Sequence, residues 1–219
     1  MSFYLTAMIT AADFKKQISK TLAGHLKTLG FKGSGFNYLL GTDNFIFTIG
    51  IQASQYGGQC CAEFGVQPKE IDSFGDHKID FKKLKYYSCE FRTRLSRKNG
   101  ADQWWKYSDD EQTNIKIADE IFSIIQKDIL PIISLLKSEP YILDRIEIED
   151  LDNIFKSIPK KLSGMTLMTT DIRFAWALTK IYTKRDPAKA KQFANFGLSK
   201  LDSESTFIGK ADFENVLAD

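Results

Sequence analysis

The chain has 219 residues, 43% hydrophobic and 26% charged, the composition of an ordinary globular protein. A formal net charge of +2 gives no general reason to expect a nucleic-acid binder or an acidic tail. Three cysteines, two of them adjacent at Cys60 and Cys61, do not make a disulfide framework, and an odd count suits a reducing compartment. No apolar run approaches the roughly 18 residues that a membrane span requires. The opening "MSFYLTAMITAADFKK" has no basic residue ahead of its short apolar run and reads poorly as a signal peptide. The expectation is a cytoplasmic protein that does not engage a membrane.

In chain order, "TAADFKKQISKTLAGHLKTLGFKGSG" predicts a helix, with Phe14, Ile18, Leu22, Leu26 and Leu29 at helical spacing and Gly30 as its C-cap. His25, at the edge of that stripe, reads as a packed or solvated residue rather than a ligand. "GFNYLLG" is a plausible first strand. In "NFIFTIGIQAS", Phe45, Phe47, Ile49 and Ile51 share one face, and Thr48, Gly50 and Gln52 the other. In "QCCAEFGVQ", Cys60, Ala62, Phe64 and Val66 face one way, and Gln59, Cys61, Glu63, Gly65 and Gln67 the other. "SQYGG" between them is hairpin material. In "CEFRTRLSRKNGADQWWKY", the alternation places Cys89, Phe91, Thr93 and Leu95 inward and Glu90, Arg92 and Arg94 outward. These segments predict an antiparallel sheet of about four or five strands with one apolar and one polar face.

"DEQTNIKIADEIFSIIQKDILPIISLLKSEP" is helical on the stripe Ile117, Ile121, Ile124, Ile125 and Ile129, and Pro131 is expected to kink or split it. Together with the first helix it can cover the apolar sheet face, giving an α+β fold. Past "KSEP" the stretch "YILDRIEIEDLDNIF" is acidic and the remainder reads as helical. Asp171 is the expected cap of "TTDIRFAWALTKIY"; Asp186 and Pro187 start "RDPAKAKQFANFGLSKL". The last two segments make a helical hairpin that resembles half of a tetratricopeptide-type repeat, although one copy does not make an array. The expected division is an α+β domain over residues 1–137 and a helical appendage over 138–219.

The motifs "LKTLGFKGSGFNY", "IGIQAS", "AEFGVQP", "CEFRTRL" followed by "WWKY", and the helix ending "ILPII" resemble the bacterial family catalogued as domain of unknown function 4304. The resemblance covers roughly residues 13 to 137 and leaves the C-terminal helices outside. It implies an α+β fold and transfers no reaction. Families of this kind often lie in bacterial toxin–immunity neighbourhoods, which implies an immunity-type role by association.

Familiar chemistry is missing. Two distant histidines, with no CxxC, HExxH or paired-carboxylate spacing, leave no recognisable metal site, and no cofactor is expected. "GSG" and "YGGQ" lack the Lys-Ser/Thr of a phosphate loop, and no serine sits in a G-x-S-x-G elbow. Cys89 falls in the apolar set, where a thiol is inert. No catalytic residue is assigned.

The polar sheet face holds the candidate contact residues: Gln52, Glu63, Glu90, Arg92 and Arg94, with Gly50 and Gly65 removing side-chain bulk. They can form a shallow glycine-floored groove whose arginines meet a carboxylate or phosphate. The commoner arrangement is a solvated face whose glutamates pair Arg92 and Arg94 across strands, since antiparallel sheets commonly leave one face to water. The C-terminal helices can also pack there and turn the arginines into the wall of a cleft. Trp104 and Trp105 are adjacent and cannot both point inward on an extended backbone, so either one is an exposed anchor or both are mostly packed, as large aromatics commonly are. From Lys78 to Lys106 nine basic residues, Lys98 among them, face three acidic ones that include Asp102. No nucleic-acid reader motif accompanies them, so a nucleic-acid partner is not expected. The reading is a non-enzymatic cytoplasmic protein-interaction module, with a protein partner, using this face and the Arg92–Trp105 segment. The rival is a small-ligand binder or unfamiliar enzyme with a cleft between that face and the C-terminal helices.

Overall fold

The structure, a computed structural model, describes residues 9–75, 77–97, 103–162, 169–202 and 204–218. Lys98 and Asp102 of the basic stretch lie outside them.

Helix α1 (Ala11–Thr28) begins where Thr10 accepts a hydrogen bond from the Asp13 N–H at 3.2 Å. It ends at Gly30, whose φ of 86° lies in the left-handed region glycine tolerates. Its buried residues, Phe14, Ile18, Leu22 and Leu26, repeat every four positions and so form one stripe. Strands β1 (Lys32–Ser34), β2 (Asn37–Gly41), β3 (Phe45–Ala53) and β4 (Gln59–Pro68) follow as an antiparallel meander. The turn between β3 and β4 is closed by Gly57 and Gly58, with φ of 74° and 69°. A small hairpin, β5 (Ser73–Phe74) and β6 (His77–Lys78), stands apart from the main sheet. A 3-10 turn at Tyr86–Ser88 then leads into β7 (Phe91–Arg94). The pair β7 and β8 (Trp105–Lys106) bind successive stretches of β4, opposite Glu63–Val66 and Gln59–Cys60.

The inward set of β3 and β4, with Phe91 and Leu95, packs beneath α1 and α2 (Glu111–Ile124). His25 stacks on Phe122 at 4.4 Å and pairs with Asp119 at 2.8 Å, a surface contact between these helices. The long helix is continuous but not uniform. A π-helical stretch (Ile125–Ile129) joins α2 to α3 (Leu130–Ser138), and the Leu130 N–H bonds back five residues to Ile125. Pro131 has no N–H for the carbonyl four residues earlier and its ring crowds that carbonyl, so the preceding turn widens.

Two 3-10 turns (Ile142–Arg145 and Ile148–Asn153) lead to α4 (Ile154–Lys161), followed by α5 (Asp171–Tyr182), α6 (Pro187–Ser199) and α7 (Lys210–Ala218). The cap of α5 is Thr170, which accepts from the Arg173 N–H at 3.2 Å, rather than the expected Asp171, which sits in the first turn. Asp186 caps α6 as its sequence indicates. On the far side, Trp176 of α5 donates to Asp212 of α7 at 2.7 Å.

The fold is α+β, and its core does not stop at residue 137. Phe91 meets Phe174 edge-on at 5.6 Å, and Phe74 meets Trp176 at 5.1 Å. One cluster of buried side chains runs from Phe14 through Phe213. The 137/138 boundary marks a change of secondary structure within continuous packing. Among the described residues no helix is long and apolar enough to cross a membrane.

Candidate functional site

The second face of the sheet is not open to water. Strands β3 and β4 are buried along both faces over most of their length. This face carries Ile46, Thr48, Gly50 and Gln52 from β3, Cys61, Glu63, Gly65 and Gln67 from β4, and Arg92 and Arg94 from β7. The chain between β6 and β7 lies across it. A Cβ on Gly50 would stand 1.9 Å from Cδ1 of Tyr86, and one on Gly65 would stand 2.7 Å from Sγ of Cys89. The glycines therefore seat the protein's own Tyr86 and Cys89 and do not floor an open groove. Cys89 is accordingly on the opposite face from the one its alternation with Phe91 indicates. The 3-10 turn at Tyr86–Ser88 precedes it, and period-2 counting holds only along extended backbone. Its thiol lies against Ile46 and Leu84, 3.4 Å from the Thr48 hydroxyl, and burial pushes it up to about 12. Burial likewise pushes the Tyr86 phenol up to about 12, with the nearby Glu63 carboxylate adding to the rise.

The seven candidate residues divide among three places. At the β3–β4 turn, Gln52 and Trp104 line a hollow of about 540 Å³ together with Tyr56 and Gln59. Arg94 stands 5.6 Å over the Trp104 ring and 3.6 Å from a carboxylate oxygen of buried Glu63, so one of the expected cross-strand ion pairs forms. Tyr56 at the turn is 84% exposed. Trp105, opposite Cys60 on β8, points into the helical core and is 2% exposed. The two adjacent tryptophans thus point to opposite sides, with Trp104 half-buried at the surface.

The other end of the face contains Glu90 and Arg92. Arg92 is exposed, opposite Gly65. Glu90 is only 5% exposed. Its partner is Arg173 on α5. The Arg173 Nε donates to the two carboxylate oxygens at 2.8 and 3.0 Å, and Nη2 donates at 2.7 Å. The Glu90 backbone N–H donates to the Gln67 side chain at 2.8 Å, which fixes this corner to β4. Burial raises the Glu90 carboxyl above its ordinary value, and the Arg173 guanidinium opposes that rise.

Arg173 is also held by two aromatic rings. Its guanidinium carbon lies 3.9 Å from the centre of the Phe74 ring and 4.5 Å from that of Trp176. Hollows of about 500 and 430 Å³ flank the ion pair, sharing Tyr87, Cys89, Glu90 and Arg173 as walls. Arg92 lines the smaller one. Sequence reading passed over Arg173, Phe74 and Tyr56. The Glu90–Arg173 contact spans 83 positions, and nothing in "TTDIRF" marks its arginine as different from a surface residue. For Tyr56 the signal was present, since a large aromatic at a glycine-closed turn has no core to enter.

No group of three or more His, Cys, Asp or Glu residues with metal-holding geometry occurs among the described residues. The model of the family described as Domain of unknown function (DUF4304) matches residues 22–135, from the last turns of α1 through the sheet and most of the long helix. No curated protein and no solved structure matches the chain.

Proposed function

The chain belongs to the DUF4304 family, and we propose that this member is a non-enzymatic protein-interaction module of the immunity type, working in a bacterial cytoplasm. One observation carries the reading: the aromatic and arginine cluster at the β3–β4 turn. Tyr56 is 84% exposed, and beside it Trp104 and Gln52 line the hollow. Arg94 braces the Trp104 ring. Tyrosine, tryptophan and arginine are the residue types that dominate binding energy at protein interfaces, and here the ring and the guanidinium are immobilised before any partner arrives. Lys106, exposed on β8 opposite Gln59, adds a positive rim, so the fitting partner is a protein offering an acidic extended segment. Three buried cysteines, none of them in a disulfide, suit the reducing compartment of the proposal.

A photo-cross-linking residue at position 56, used in lysate of the source cell, identifies the partner, which is then purified for direct affinity measurement. Tyr56→Ala and Trp104→Ala are each expected to weaken the purified complex about tenfold or more, at unchanged melting temperature. Lys20→Ala, on the exposed side of α1, is expected to leave it unchanged. Equal binding by all three variants, or no cross-linked protein, overturns the proposal.

A further inference from the structure

We infer that the larger hollow beside the Glu90–Arg173 pair binds a small phosphate-bearing molecule with a planar body. The site is separate from the β3–β4 turn and does not depend on the reading given to that turn. Four parts of the chain line it: Gln67 at the end of β4, the β5–β6 hairpin, the segment from Ile79 to Glu90, and the start of α5. Its volume of about 500 Å³ falls in the range of small-molecule sites, about 300–1,000 Å³.

The charges select the ligand. Lys78, Lys83, Lys85 and Arg173 line the hollow, against Asp80 and Glu90. Lys83 is paired with Asp80 at 3.7 Å, and Arg173 with Glu90 at 2.7 Å. Lys78 and Lys85 make no ion pair among the described residues, so two positive charges are left over. A phosphate monoester, with about −1.5 to −2 charge at neutral pH, matches that surplus where a carboxylate meets half of it. Glu90 does not repel such a ligand strongly, because both of its oxygens already accept from Arg173.

Arg173 supplies the directed bond. Its Nη1 makes no hydrogen bond among the described residues, while its Nε and Nη2 are bound to Glu90 and its guanidinium carbon lies over the Phe74 and Trp176 rings. A guanidinium so held loses little rotamer freedom when its remaining N–H groups meet a phosphate oxygen. The planar body is assigned from Tyr87, which lines the same hollow, is braced edge-on by Tyr86 at 5.2 Å, and remains 60% exposed. A large aromatic kept at a cationic hollow without a core to fill is a stacking surface.

The test is calorimetric titration of the full chain at low salt with 4-nitrophenyl phosphate, inorganic phosphate and 4-nitrobenzoate. The ester is expected to bind, and more tightly than either of the other two. Lys78→Ala and Lys85→Ala, both exposed positions, are each expected to weaken the ester about fivefold or more with the melting temperature unchanged. Arg92→Ala, in the smaller hollow, is expected to change nothing. Absence of binding, or binding unaffected by both lysine variants, overturns the site. Loss on Arg92→Ala alone overturns its assignment to this hollow. Equal affinity for 4-nitrobenzoate overturns the phosphate, and equal affinity for inorganic phosphate overturns the planar body.

Discussion

Glu90 and Arg173 set the residue-scale energetics. A carboxylate held at 5% exposure has lost its water, and the Arg173 fork supplies the replacement bonds. Removing one partner leaves the other charge buried and uncompensated. Arg173→Met is therefore expected to cost about 3–5 kcal/mol in urea unfolding, while the Glu90→Gln/Arg173→Met double variant recovers most of that loss. The pH dependence follows from the raised carboxyl. A group whose folded value lies above its unfolded one binds protons better when folded, so its ionisation lowers stability as pH rises. Without Arg173 the Glu90 carboxyl rises further. The Arg173→Met deficit is thus expected to be largest at neutral pH and to shrink as pH falls into the carboxylate range. A deficit independent of pH would mean that the cation–ring contacts with Phe74 and Trp176, not the ion pair, account for the loss.

Gly50 and Tyr86 are a steric pair at the same scale. An added methyl at Gly50 would enter the Tyr86 ring, so Gly50→Ala is expected to cost about 1–3 kcal/mol by overpacking. In a Tyr86→Ala background the same substitution has room and is expected to cost well under 1 kcal/mol. Matching losses in both backgrounds would refute the lock. Here the sequence misleads in a definite way. Gly50, Gln52, Glu63 and Gly65 read as a wet face, because glycine and polar residues on alternate positions are what water-facing strands carry. The residues that cover them, Tyr86 and Cys89, approach from 36 and 24 positions away, a separation that no local pattern encodes.

At the scale of elements, the helices and central strands were legible because each needs only its own periodicity. The α1 stripe and the split faces of β3 and β4 follow from spacings of about four and of two. Short elements were not: β5, β6 and β8 have two residues each and exist because their neighbours hold them. The last helices dock by close approach as well as by stripe. A Cβ on Gly197 of α6 would lie 2.1 Å from the Phe213 ring of α7. Gly197→Ala is expected to loosen α7 by about 1–3 kcal/mol, seen as about tenfold or faster amide exchange confined to that helix. Global loss without local exchange would show that α7 is part of the main cooperative unit.

For the whole molecule, the decisive feature is that one core spans the sheet and the C-terminal helices. Equilibrium unfolding is expected to be a single transition, with urea curves from far-UV circular dichroism and tryptophan fluorescence superimposing. The probes sample both parts, since Trp104 and Trp105 stand by the sheet and Trp176 in α5. Two separated transitions would make the helical unit an independent domain. Truncation after residue 138 would bare Phe91 and Phe74, and the shortened chain is expected to aggregate.

The sequence by itself determined the α+β class, the antiparallel central strands and the helices that cover them, since these depend on residue type and short-range period. It also determined that adjacent tryptophans must part company. Which of them stays at the surface, what lies over the second sheet face, and that Glu90 answers to Arg173 were decided by tertiary structure alone. The physical reason is one of range: amphipathic periodicity acts over a few residues, whereas ion pairs, ring stacks and steric locks form between segments that only the folded core brings together.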